Sequence, residues 1–93
     1  MGARRGGQTV SAKLGDMPNI GKVLAERLHR AGIDTPEQLL QLGDDAAFRR
    51  IRAELPDDAC THTRLALAGA VRGVRWHALP ADLRAELTKG IKS

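Results

Sequence analysis

Aromatic residues are scarce in this chain: one tryptophan, one phenylalanine and no tyrosine among 93 residues. A core of stacked rings is therefore excluded, and the hydrophobic 42% of the sequence must pack largely as Leu, Ile, Val and Ala, a palette that favours helices. The same scarcity argues against a single-strand binding groove, which needs several exposed rings along a basic channel. A single cysteine, Cys60, leaves no intramolecular disulfide and suits a reducing compartment. No apolar run approaches the length of a bilayer span, and the Gly- and Arg-rich start has no apolar stretch behind it. The expectation is a cytoplasmic chain with no membrane partner.

Catalytic constellations are also lacking. Cys60 and His62 stand two apart, too close to face each other on a helix, and no further Cys or ordered His/carboxylate set completes a zinc site or a nucleophile pair. Gly21-Lys22 is followed by Val23 and not by the Ser or Thr of a phosphate-binding loop. The paired aspartates at 44–45 and 57–58 fall at expected helix starts, where capping explains them. The residues thus predict no enzyme, no metal and no cofactor. What remains is a formal charge of +4 and a sequence pI near 10.0, a surface attractive to polyanions and also compatible with ordinary solubility.

The length suits one domain with a modest core. Residues 1–11 read as a flexible basic tail and 12–93 as one helical domain of about five short helices. Over 20–31, Ile20, Val23, Leu24, Leu28 and Ala31 recur at three-and-four spacing, and Gly32-Ile33 supplies a Schellman stop in which Ile33 touches Leu28. Thr35-Pro36-Glu37-Gln38 carries a cap, a proline for the first helical position and a reciprocal glutamine, opening a helix over 36–42 rich in leucine. A third helix, about 45–55, has Phe48, Ile51 and Leu55 as its buried stripe. After Pro56, a longer helix is spaced by Leu67, Val71 and Val74, and its small residues Ala66 to Ala70 invite close approach of another helix. Pro80 opens a last helix with Leu83, Leu87 and Ile91 on one side. No stretch alternates as a strand does.

The segment LGDMPNIGKVLAERLHRAGIDTPEQLLQL, 14–42, resembles a helix-hairpin-helix module: apolar residue, Pro, variable residue, apolar residue, Gly, then a helix ending in Gly-Ile and a Thr-capped helix. That resemblance implies a turn that points backbone N–H groups outward to a phosphate oxygen, a use consistent with the free donors and positive end of any helix start. Asn19 stands where the family has glycine. The alternative is a tight interhelical turn with Ile20 as a core plug, and both readings are open at this point.

Over about 14–91, the stretches Asn19-Ile20-Gly21-Lys22, Ala47-Phe48-Arg49-Arg50-Ile51 and above all Gly73-Val74-Arg75-Trp76-His77-Ala78-Leu79 are similar to the C-terminal domain of the TfoX/Sxy family. The resemblance implies an all-α fold related to helix-hairpin-helix domains and a role in regulating competence and DNA transformation. The family's N-terminal domain is not in this sequence, and 60–68 (CTHTRLALA) departs from the family's usual residues.

The leading expectation is a non-enzymatic module that binds DNA backbone without sequence preference. Its contacts would come from Asn19, Ile20, Gly21 and Lys22, with Arg49, Arg52, Arg72 and Arg75 as auxiliary phosphate contacts. The other expectation is a protein-interaction domain in transcriptional or competence regulation, docking a regulatory partner or a second copy of itself, favoured by an exposed face on the last helix. Trp76 reads as a wedge between helices before it reads as a stacking platform.

Overall fold

The computed structural model describes residues 13–91, so the expected basic tail lies outside the described residues. Five α-helices follow one another: Lys22–Arg30 (α1), Pro36–Leu42 (α2), Asp44–Glu54 (α3), Thr61–Arg72 (α4) and Ala81–Leu87 (α5). A single turn of 3-10 helix, Leu14–Asp16, precedes α1, two more at Pro56–Asp58 and Trp76–Ala78 link α3 to α4 and α4 to α5, and no strand occurs among the described residues. The fold is all-α, as the composition implies.

The helix stops act as the sequence predicts. Ile33 N–H donates to Leu28 O at 2.8 Å and Gly32 N–H to His29 O at 3.0 Å, the paired bonds of a Schellman closure, with Gly32 left-handed at φ 84°. Ile33 is thereby carried into the core at 1% exposure. At the next helix, Thr35 Oγ1 accepts from Gln38 N–H at 3.1 Å while Gln38 Oε1 accepts from the N–H groups of Thr35 and Asp34, a complete capping box.

The core is aliphatic around one ring. Leu28, Ile33, Leu39, Phe48, Ile51 and Leu67 are its largest sealed side chains, drawn from α1 to α4 and the turn after α1. Burying each contributes about 1.5–3 kcal/mol before the entropy of ordering is subtracted. α3 packs most extensively on α4, while α5 is attached to the bundle mainly through α4.

Four sequence expectations need correction. α1 begins at Lys22, which leaves Ile20 in the turn as a buried plug, and Val23 is 62% exposed because it sits at the edge of the stripe formed by Leu24, Leu28 and Ala31. A further exposed apolar side chain, outside those four expectations, is Leu40 at 52%, since Leu39 and Leu42 take the inward side of a short helix. Val74 does not continue α4: Val74 N–H to Gly69 O at 2.9 Å and Gly73 N–H to Ala70 O at 3.1 Å end the helix in a second Schellman closure. Leu55 lies past the end of α3 and is only half-buried.

α3 packs extensively on α4, and at Gly69 a second close neighbour arrives that is not an α-helix. A Cβ on Gly69 would stand 2.7 Å from Val74 O and 3.2 Å from Trp76 Cα, and would also collide with the Asn19 carboxamide. The vacancy left by glycine is filled by a side chain and a returning turn. Gly69→Ala should therefore destabilise the fold by about 2 kcal/mol, the roughly 1 kcal/mol gained in helix propensity being outweighed by overpacking against backbone atoms that cannot swing away. Urea unfolding measures this, and a variant as stable as the parent would refute the close approach.

Candidate nucleic-acid interface

The chain enters the candidate site through a turn. Ile20 N–H donates to Met17 O at 3.3 Å across Pro18 and Asn19, and Asn19 has φ 69°, the pattern of a type II turn with proline second and a left-handed residue third. Asparagine tolerates that backbone better than most residues. Its side chain points inward. Asn19 Nδ2 donates to Val74 O at 2.9 Å and to Ala66 O at 3.4 Å, while Trp76 N–H donates to Asn19 Oδ1 at 2.9 Å. Ile20 is 3% exposed. Of the four hairpin residues singled out by sequence, Asn19 and Ile20 thus build the turn from within, and Gly21 and Lys22 are exposed.

α1 opens directly after this turn. Gly21 is its N-cap and supplies no side chain, and the first bond that closes the helix runs from Ala25 N–H to Gly21 O at 3.0 Å. The N–H groups of residues 22–24 consequently have no helical acceptor and no capping side chain. Asp16, the nearest carboxylate before the helix, accepts from Lys13 N–H, and Glu26, one turn in, approaches Arg30 at 3.8 Å. A groove of about 290 Å³ runs from this point to the start of α4, bordered by Gly21, Lys22, Val23 and Arg27 on one side and by His62, Thr63 and Ala66 on the other. No carboxylate lines it. Arg27 is paired at 3.0 Å with Asp58 of the Pro56–Asp58 turn.

The start of α4 differs. Cys60 is its N-cap, with Sγ 3.5 Å from Thr63 Oγ1. The bond to the Thr63 hydroxyl holds the thiol below its ordinary pKa against the opposing effect of burial, and the backbone amides of Thr63 and His62 act in the same direction as the hydroxyl. Cys60 stands at the start of α4 as Gly21 stands at the start of α1, but unlike glycine it brings a side chain, whose nearest polar partner is the Thr63 hydroxyl. Beside it, the half-buried Trp76 ring meets His62 and His77 edge-on, at centroid distances of 5.9 and 5.5 Å. These perpendicular contacts suit a wedge and not a platform for bases.

The four auxiliary arginines do not converge. Arg49 is paired with Asp45 at 2.6 Å, and Arg52 lies over the Phe48 ring at 5.2 Å. Arg72 donates to Ala68 O at 2.9 Å and approaches Asp44 at 3.5 Å. Arg75 is exposed within the turn that Asn19 holds. Sequence reasoning missed the residue that organises this side of the bundle, Arg64, whose side chain is 8% exposed and bonded to Asp44 at 2.6 Å. Its signal was a lone cation inside the apolar run of α4. Burial raises the pKa of the Asp44 carboxyl, but the Arg64 bond and charge, with Arg72 behind them, prevail and hold it below its ordinary value. On α4, Ala66 and Gly69 lie roughly 140–200° around the helix from Arg64, so the hairpin and the Asp44 cluster occupy different sides of α4.

Residues 10–91 match the TfoX C-terminal domain family. The chain belongs to that family. A solved structure of an uncharacterized protein from Listeria monocytogenes, in a triclinic crystal form, is 40% identical, with a TM-score of 0.78 over 88% of this chain and 99% of that one. A tetragonal-form structure of a protein of unknown function from Listeria monocytogenes is 46% identical, with a TM-score of 0.75 over 82% of this chain and 92% of that one. Among proteins of curated function none matches. Among the described residues of this TfoX C-terminal domain, no cluster of three or more His, Cys, Asp or Glu could hold a metal ion, and no helix is long and apolar enough to cross a membrane.

The charge arrangement fixes two opposite pH responses. Asp44 has a lowered folded-state pKa, so its contribution to stability is complete above the unfolded value of 3.8 and disappears as pH falls through the folded one. His29, bonded to Asp34 across the α1–α2 turn, is raised above 6.5, first by that bond and then by the Asp34 charge. Its contribution is complete below 6.5 and is lost as pH rises through the raised value. Asp44→Ala should cost about 3 kcal/mol by stranding Arg64, and Asp44→Asn should flatten the acid limb of a stability profile. An unchanged acid limb would show that the Arg64 pair does not act as described.

Proposed function

We propose that this TfoX C-terminal domain is a non-enzymatic module that holds the phosphate backbone of DNA at the start of α1, without reading base sequence. The observation that carries this reading is the uncapped opening of α1, where the N–H groups of residues 22–24 and the Lys22 side chain border a groove free of carboxylates. A helix start has a partial charge of about +0.5, and Lys22 adds a full unit beside it. Phosphate contacts of this kind position a protein on a duplex and carry no sequence information. The helix-hairpin-helix resemblance of 14–42 and the family's association with competence and transformation support reading such a module as a cytoplasmic regulator of DNA-related processes.

A second reading has its own support: Val23 and Leu40 are large apolar side chains more than half exposed, which suits docking by a regulatory protein or a second copy of the chain. Duplex DNA titrated at low and moderate ionic strength separates the two. The DNA reading expects binding that weakens steeply with salt, and Lys22→Ala should reduce affinity uniformly across sequences while lowering the salt slope by about one. No binding at low salt would eliminate the DNA reading, and sedimentation showing self-association would then support the second.

A further inference from the structure

Asn19 makes an arrangement that the hairpin alone does not need. A left-handed residue after Pro18 would complete the turn with a bare glycine, yet here a carboxamide extends from it to the far end of α4. Its donor and acceptor take the two peptide groups that flank Arg75: Val74 O, on the peptide before it, and Trp76 N–H, on the peptide after it. Arg75 is therefore held on both sides by one side chain, in extended backbone at φ −66° and ψ 144°. Gly69 leaves the space for this crossing. Arg75 itself is exposed and makes no ion pair among the described residues, whereas Arg49 is paired with Asp45 and Arg72 is drawn to Asp44.

We propose that Asn19 is a positioning residue that locks the 74–76 turn to the hairpin, so that Arg75 joins Lys22 as a phosphate contact in place of Arg49 and Arg72. This rests on the DNA reading above and specifies which cations serve it. The carboxamide is chemically required: aspartate would offer only acceptors, pushing Val74 O away, and leucine would offer neither partner.

The test uses a fluorescein-labelled 20-base-pair duplex titrated with full chain at several salt concentrations. Asn19→Gly keeps the left-handed backbone and removes both anchors, which separates the turn from the coupling. Arg75→Ala should lower the slope of log affinity against log salt by about one, and Asn19→Gly should lower it by a similar amount. The double variant should fall no further, because a released Arg75 has little left to lose. A change in stability alone would not shift the slope. Arg49→Ala should change the slope by less than Arg75→Ala, a comparison that holds even where Asn19→Gly folds poorly.

Amide exchange at Trp76 reads the anchor without DNA and should quicken in Asn19→Gly. Wild-type binding with an unchanged slope in Asn19→Gly, or losses that add fully in the double variant, would overturn the positioning role while leaving the DNA reading intact. Absence of wild-type binding would remove the DNA reading and Arg75's role together, recognised because Lys22→Ala and Arg75→Ala would be equally silent.

Discussion

One carboxamide joins the two ends of this fold. Asn19 lies early in the chain and its partners Ala66, Val74 and Trp76 lie 47 to 57 residues later, so its hydrogen bonds close most of the sequence into a single loop. Each such bond contributes about 0.5–1.5 kcal/mol net. More consequential is the cost of leaving the half-buried Trp76 N–H or the carboxamide itself unmatched, whereas Val74 O stands at an exposed position. The crossing depends on two neighbours: Pro18, which sets the turn that aims Asn19, and Gly69, whose missing side chain makes room. A turn, a glycine and a helix stop, separated by some fifty residues, serve one contact.

That dependence explains what was legible in the sequence. Local chemistry was readable because its partners lie within four or five residues: the Gly32-Ile33 closure and the Thr35/Gln38 box form as their spacing predicts, and the apolar stripes of α1 and α3 do so except at Val23 and Leu55. Gly69 announced that something would come close, and the sequence offered another helix as the natural candidate. The occupant was instead a polar side chain from a distant turn, which periodicity cannot see. The same limit hid the Arg64–Asp44 pair: the apolar run around Arg64 marks it as unusual, but its partner stands on a different helix, where Asp44 looks like an ordinary helix-start charge.

The candidate site divides along the same line. Gly21 and Lys22 were identifiable because an N-terminal helix start is a local feature with known physics. Asn19 was identifiable as unusual, but that its side chain faces the protein and bonds to α4 and the 74–76 turn was not legible from spacing. The auxiliary arginines could be counted but not arranged, since net charge fixes attraction to a polyanion without fixing where the charges stand.

The arrangement of those charges carries its own argument. Asp44 and Asp45 at the start of α3 gather Arg49, Arg64 and Arg72, three of the chain's cations, on the side of α4 away from the hairpin. Such gathering stiffens the α3–α4 contact, and it also withdraws positive charge from competition with the hairpin. Lys22 and Arg75 stand outside that network, next to the amides at the opening of α1 and within the turn that Asn19 holds. On the reading proposed above, Lys22 and Arg75 are the cations at the hairpin that no carboxylate pairs among the described residues, although the composition distributes arginine along nearly the whole chain. Placement of the acids, as much as of the bases, gives the surface its polarity.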